Sequence, residues 1–198
     1  NYFMQIDLDL LFTWGAIAKE YTKNEIIFHE EESANFYYQI IDGCVRMYNS
    51  NEEGKEFTQG YFKNGHSFGE PPLFIDEVYP STAVAFKDSK IIKISKEKFL
   101  KILEEYPFIQ KQFLNLMATR IHTKTRTTKD IVNQKPEFRI LAFLNAHKNP
   151  DCPKKELVAF TRQEIANFTG LRVETVIREL SRMSKTNKVE IINHKLYY

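Results

Sequence analysis

The chain has 198 residues, 42% of them apolar and 14% aromatic, with a net charge of +2, which suits one domain or two small ones with genuine cores. Its apolar runs fall far short of the ~20 residues a membrane span requires, and no basic start leads into an apolar signal core, so a cytoplasmic protein with no membrane contact is expected. Two cysteines, Cys44 and Cys152, cannot form a disulfide framework or a four-cysteine site within one chain, and reduced thiols are expected.

From Glu25 to Ile94 short β-rich runs dominate. Ile26 to Phe28, Phe36 to Ile41, Val45 to Asn49, Phe57 to Phe62 and Lys90 to Ile94 are each bounded by turn residues, the pattern of a compact antiparallel barrel or sandwich. Asp42-Gly43 reads as a hairpin between two of these runs, and the string NSNEEG from Asn49 to Gly54 as a second, longer turn. After Ser95 the apolar period becomes helical. Phe99, Ile102 and Leu103 share one helix face, and Pro107 starts a second helix that can run to about Val132. Within it Leu114, Met117, Ile121, Lys124, Thr128 and Ile131 alternate spacings of three and four, which is a heptad seam with a polar second half. Such a seam serves a parallel two-helix contact; packing of its apolar half on the barrel is the competing reading.

Pro136 marks a hinge and the start of a further domain. The charge shifts there too. Residues 1–132 hold 16 Lys and Arg against 19 Asp and Glu, whereas residues 133–198 hold 12 against 7. A basic C-terminal third suits a polyanion, although ordinary surface charge would give the same balance. Arg139 to His147 reads as an apolar-rich helix, and Lys148 to Lys155 as a surface loop. Thr161-Arg162-Gln163-Glu164 then has the capping-box pattern of a helix start. Gly170 supplies a tight turn, and Val173 to about Ser184 forms a second helix with Val176, Leu180 and Met183 as its buried stripe. Glu174 and Arg178 lie one turn apart on the other side. Arginine can donate twice to guanine while glutamate accepts from cytosine, so the pair can read G·C; an exposed i,i+4 salt bridge is the alternative. A hairpin of Val189 to Ile192 and Lys195 to Tyr198 follows around Asn193-His194. No nucleophile–base pairing, phosphate loop or metal-ligand spacing occurs, so neither an enzyme nor a metal protein is expected.

The string FTRQEIANFTGLRVETVIREL, Phe160 to Leu180, resembles the helix-turn-helix of the Crp/Fnr family of bacterial regulators, whose motif is close to TRQEIG…G…(S/T)(R/V)ETV.R.L. The resemblance extends over nearly the whole chain: NEEGKEFTQGYF from Asn51 to Phe62 and NGHSFGE from Asn64 to Glu70 resemble the family's sensor. It implies an α+β fold. Residues 1–106 would form a cyclic-nucleotide-binding-like β-roll or jelly-roll, 107–132 a dimerisation helix and 133–198 a winged helix-turn-helix. It further implies a homodimer on palindromic double-stranded DNA, with Thr161, Arg162, Gln163, Arg172, Glu174, Thr175, Arg178 and Arg182 at the interface and Glu174 and Arg178 reading a G·C pair. Val173 stands where the catabolite activator branch has a base-contacting arginine, and Ile177 where the oxygen-responsive branch has serine.

The implied effector pocket comprises Phe68, Gly69, Glu70, Ser81, Thr82, Lys124 and Thr125. Pro80 replaces the family's phosphate-pairing arginine, and Pro71-Pro72 remove two N–H donors from the phosphate-cradling turn. The expected effector is therefore a small molecule other than cyclic AMP, with no resident cofactor. The family's cysteine-rich oxygen-sensing stretch has no counterpart here, and no iron–sulfur cluster is implied. RNA polymerase is the implied further partner, through the loop at Lys148 to Lys155. Two other readings stand beside this one: a constitutive DNA binder with an empty barrel, and a ligand-sensing or protein-interaction module whose helix-turn-helix is degenerate, since Arg172 stands where a Ser or Thr would cap the second helix.

Overall fold

A computed structural model describes residues 5–54, 56–133, 135–148 and 155–198, and for 126–133 it describes the helical backbone without the side chains. The chain divides into two compact units, Asn1–Gly54 with Thr58–Ile121 and Lys55–Phe57 with His122–Tyr198.

In the first unit Asp7 caps α1 (Leu8–Thr13) by accepting from the backbone of Asp9 and Leu10. The strands β1 (Ile17–Tyr21), β2 (Ile26–Phe28), β3 (Phe36–Asp42), β4 (Cys44–Ser50), β5 (Glu56–Lys63) and β6 (Ser67–Phe68) follow. A short α2 (Pro71–Ile75) precedes β7 (Thr82–Ala85) and β8 (Ser89–Ser95), after which come α3 (Lys96–Glu105) and α4 (Pro107–Asn133). The strands form two four-stranded sheets, ordered β1-β8-β3-β6 and β2-β7-β4-β5. Together they enclose an aromatic-rich core that includes Phe28, Tyr37, Tyr38, Phe68 and Tyr79.

One expected hairpin is not one. Asp42-Gly43 joins β3 to β4, and these strands lie in different sheets. Gly43 has φ +120, and a Cβ there would lie 2.6 Å from the Ser89 backbone, so the glycine permits a corner at which the chain changes sheet. The longer turn after β4 does lead to a neighbouring strand of the same sheet, β5. β1, β6 and β7 carry no sequence signal of their own: β7 is four buried residues without alternation, and β6 has only two residues.

Ser95 caps α3 by accepting from Lys98 N–H. Phe113 anchors α4 to the barrel, its ring edge-on to Tyr37 at 5.8 Å and to Phe99 at 5.3 Å. Leu116 and Met117 pack partly on the same core, whereas Leu114 and Ile121 stay 70% and 67% exposed.

The second unit contains α5 (Pro136–His147), α6 (Arg162–Thr169), α7 (Val173–Lys185) and the hairpin of β9 (Glu190–Ile192) with β10 (Lys195–Tyr197). Ile140, Phe143 and Leu144 of α5 pack with Ile165 of α6 and Val176, Leu180 and Met183 of α7 in a separate core. Asn193 and His194 both take positive φ, +47 and +62, as a two-residue primed turn demands. Among the described residues no helix is long and apolar enough to cross a membrane.

Candidate nucleic-acid interface and effector pocket

The capping box at the start of α6 is complete. The Thr161 hydroxyl accepts from Glu164 N–H at 3.2 Å, and the Glu164 carboxylate accepts from Thr161 N–H at 2.6 Å. α6 ends at Gly170, whose φ of +67 suits a left-handed cap; the Arg139 guanidinium of α5 donates to the Thr169 carbonyl beside it. A Cβ at Gly170 would meet that guanidinium at 2.9 Å and displace it, and the positive φ is what favours glycine here.

Arg172 opens α7 without a side-chain cap, yet the helix is formed, held by Val176, Leu180 and Met183 at no more than 1% exposure. Its outer stripe is Glu174, Ile177, Arg178, Ser181 and Arg182, all exposed. No ion pair joins Glu174 to Arg178 among the described residues, so the salt-bridge alternative finds no contact here. The two side chains present an acceptor and a five-donor fork on one face.

Arg182 is differently placed. Its guanidinium is 2.7 Å from Glu137 and 2.9 Å from Glu179, and the Lys188 ammonium is 2.6 Å from Glu137. The Lys188 hydrogen bond, followed by the charges of Lys188, Arg182 and Lys135, holds the Glu137 carboxyl below its ordinary value. This network joins α5 to α7 and the approach to the hairpin. Arg162 is half-buried and reaches the His194 carbonyl at the hairpin turn at 3.4 Å, and Gln163 donates to Asn167 at 2.7 Å. Thr175 is half-buried. Of the eight residues expected at the interface, Glu174, Arg178 and Arg172 are thus exposed, with no side-chain hydrogen bond or ion pair among the described residues, while Arg182, Arg162, Gln163 and Thr161 also serve the scaffold. The loop at 149–154 lies outside the described residues.

In the first unit, Glu70 is fully buried, and Arg120 of α4 enters to meet it. Arg120 donates to the Glu70 carboxylate at 2.7 Å and to the Ser67 carbonyl at 2.7 Å, with its guanidinium over the Phe62 ring at 5.3 Å. The second Glu70 oxygen, Oε1, has no hydrogen-bond partner among the described residues. Burial, followed by the nearby Glu70 charge, pushes the Tyr37 phenol well above its ordinary value. Sequence reasoning missed Arg120; its one signal was a position four residues before Lys124, on the same helix face.

Gly69 lies beneath two stacked rings, Phe28 and Tyr79, whose centroids are 3.7 Å apart. A Cβ there would approach Phe28 to 3.0 Å. Ser81 is buried beside Pro80, whose carbonyl accepts from Asn49 Nδ2 at 2.5 Å. Thr82 sits in β7 opposite Tyr48 and its hydroxyl accepts from Glu30 N–H at 3.0 Å, so it closes the sheet. Lys124 and Thr125 are exposed on α4 in the second unit. Of the heptad seam, Leu114 and Ile121 are exposed and Met117 half-buried; the side chains of Thr128 and Ile131 lie outside the described residues.

Residues 18–106 match the cyclic nucleotide-binding domain family, and residues 138–197 match the Crp-like helix-turn-helix domain. The chain is a Crp/Fnr family transcription regulator. It is 29% identical to the cAMP-activated global transcriptional regulator CRP of Salmonella typhimurium over 175 residues, 86% of this chain and 83% of that protein. The Anaerobic regulatory protein of Haemophilus influenzae is 25% identical over 190 residues, 93% and 74% of the two chains. In fold, the regulator resembles the c-di-GMP responsive global regulator CLP of Xanthomonas campestris, at 20% identity and a TM-score of 0.84 over 96% of each chain. The family consists of DNA-binding transcription regulators, and this Crp/Fnr member is not an enzyme.

Proposed function

We propose that the regulator reads palindromic DNA as a homodimer, recognising a G·C pair in each half-site through Glu174 and Arg178, under the control of a small effector other than cyclic AMP. The observation that carries the DNA reading is the exposed pair on α7, one turn apart and not joined in an ion pair. A carboxylate and a guanidinium in that register match the N4 donor of cytosine and the O6 and N7 acceptors of guanine. The exposed Leu114 and Ile121 supply a seam for a second copy, which would set the two recognition helices about one DNA turn (~34 Å) apart. In this arrangement residues 1–106 sense, 107–132 dimerise and 133–198 bind DNA, with RNA polymerase as the downstream partner.

The effector reading rests on Pro80. Where a cyclic nucleotide's phosphate needs a charge-assisted clamp, this position has neither cation nor backbone donor, and its carbonyl is bonded to Asn49. Selection from randomised duplexes at near-physiological salt, with and without cyclic AMP, tests both parts. The expected result is an enriched two-fold palindrome with G·C in both arms, independent of the nucleotide. Enrichment only with cyclic AMP would refute the effector reading, and an asymmetric single site would refute the dimer.

A further inference from the structure

The corner at which the chain changes sheet borders a cavity separate from the effector pocket. Gly43 and Cys44 at the start of β4, Lys63 and Asn64 at the end of β5, and Lys87 between β7 and β8 line a space of about 380 Å³, which falls in the range of small-molecule sites, ~300 to 1,000 Å³. Its floor is fixed. Asn64 Oδ1 accepts from Gly43 N–H and Asn64 Nδ2 donates to the Asp42 carboxylate, each at 2.8 Å, while Cys44 N–H donates to Ser89 Oγ at 3.1 Å. Its walls are cationic. Lys63 and Lys87 are exposed, and neither enters an ion pair among the described residues. The carboxylates closest in sequence are otherwise engaged: Asp42 accepts from Asn64, and Asp88 accepts from Lys23 N–H at 2.8 Å. Burial pushes the Cys44 thiol up, and the Lys63 and Lys87 charges, both near enough to act on it, oppose that rise. A single solvated lysine needs no explanation. Two that converge on one cavity from different turns, in the half of the chain where 19 acidic residues outnumber 16 basic ones, concentrate positive potential in one place.

We infer that this cavity is a second small-molecule site, which binds a phosphate group between Lys63 and Lys87. Two ammonium groups on separate flexible stems act as point charges and suit a compact polyanion, whereas a planar carboxylate is better matched by the fork of an arginine. The site shares no residue with the pocket around Glu70, so it stands independently of the effector reading. Cys44, 8% exposed, belongs to the floor and reports on occupancy.

The test follows alkylation of Cys44 by iodoacetamide in the intact Cys152→Ser chain, with inorganic phosphate, glycerol 3-phosphate or glycerol added at millimolar concentration. Either phosphate should slow the reaction saturably, and glycerol should not. Tighter protection by the ester would assign an organic phosphate as the ligand, and equal protection would assign free phosphate. Lys63→Met and Lys87→Met, which keep aliphatic stems on the surface, should each weaken protection about tenfold, the order of one hydrogen bond to a charged group. Lys111→Met on α4 should leave it unchanged. Each comparison sets the rate with phosphate against the rate without it in the same protein, so a change in the basal reactivity of Cys44 cancels. Absence of protection by both phosphates would overturn the inference, as would protection that persists when Lys63 and Lys87 are both replaced.

Discussion

Removing one partner of a buried ion pair leaves the other charged where water cannot reach it, at a cost of roughly 3 to 5 kcal/mol. Glu70 is fully buried and Arg120 only a quarter exposed, so their contact belongs to that class rather than to the weak surface pairs. Arg120→Ala should therefore lose about 3 kcal/mol in urea unfolding, and Glu70→Gln with Arg120→Met should lose less than the two single changes together; additive losses would show that the pair is not coupled. At the recognition helix the relevant quantity is discrimination rather than stability. Arg178 is exposed on the outer stripe of α7, so Arg178→Ala should fold normally and lose about 1 to 3 kcal/mol of binding per half-site, with relaxed preference at the G·C pair. Equal losses on cognate and scrambled duplexes would mean that Arg178 touches only phosphate.

At the scale of elements, α4 has two different faces. Phe113 and its neighbours are committed to the barrel core, which leaves Leu114 and Ile121 on the open side at the spacing of a heptad seam. Burying such a side chain contributes about 1.5 to 3 kcal/mol, enough over two copies to support a dimer. Leu114→Glu with Ile121→Glu should give a folded monomer by light scattering and circular dichroism that no longer prefers a palindrome to a single half-site. A dimer that persists would place the subunit contact elsewhere. In the second unit, the completed capping box and Gly170 fix the angle between α6 and α7, so the presentation of Glu174 and Arg178 follows from local backbone chemistry together with the shared core.

For the whole molecule, the charge imbalance gains meaning from the family assignment. Residues 133–198 carry 12 basic against 7 acidic side chains, the reverse of the balance in residues 1–132. Several of those cations are engaged: Lys188 and Arg182 pair with Glu137, and Lys155 pairs with Glu190. Fewer phosphate contacts should form than the raw count suggests. If a dimer neutralises about six phosphates, the logarithm of its affinity should fall with the logarithm of salt at a slope near −5, measurable by fluorescence anisotropy between 50 and 200 mM salt. A slope near zero would contradict electrostatic engagement of the backbone altogether.

The amino-acid sequence by itself determined the elements that local chemistry dictates. The α6 start followed from Thr161 and Glu164, the turn from Gly170, the wing from Asn193-His194, and the helix restart from Pro107, because caps, positive φ and fixed φ act within a few residues. It also determined the exposed face of α7, since its buried positions follow the helical period. Only the tertiary structure decided what depends on residues far apart in the chain. It separated β3 from β4 at Gly43, gave β7 its place by pairing it with β2 and β4, brought Arg120 to Glu70 across fifty positions, and engaged Arg182 with Glu137. The physical reason is one of range: a cap is satisfied by its own neighbours, whereas the partner of a buried charge or a short strand is whichever group the packing of the core brings alongside it.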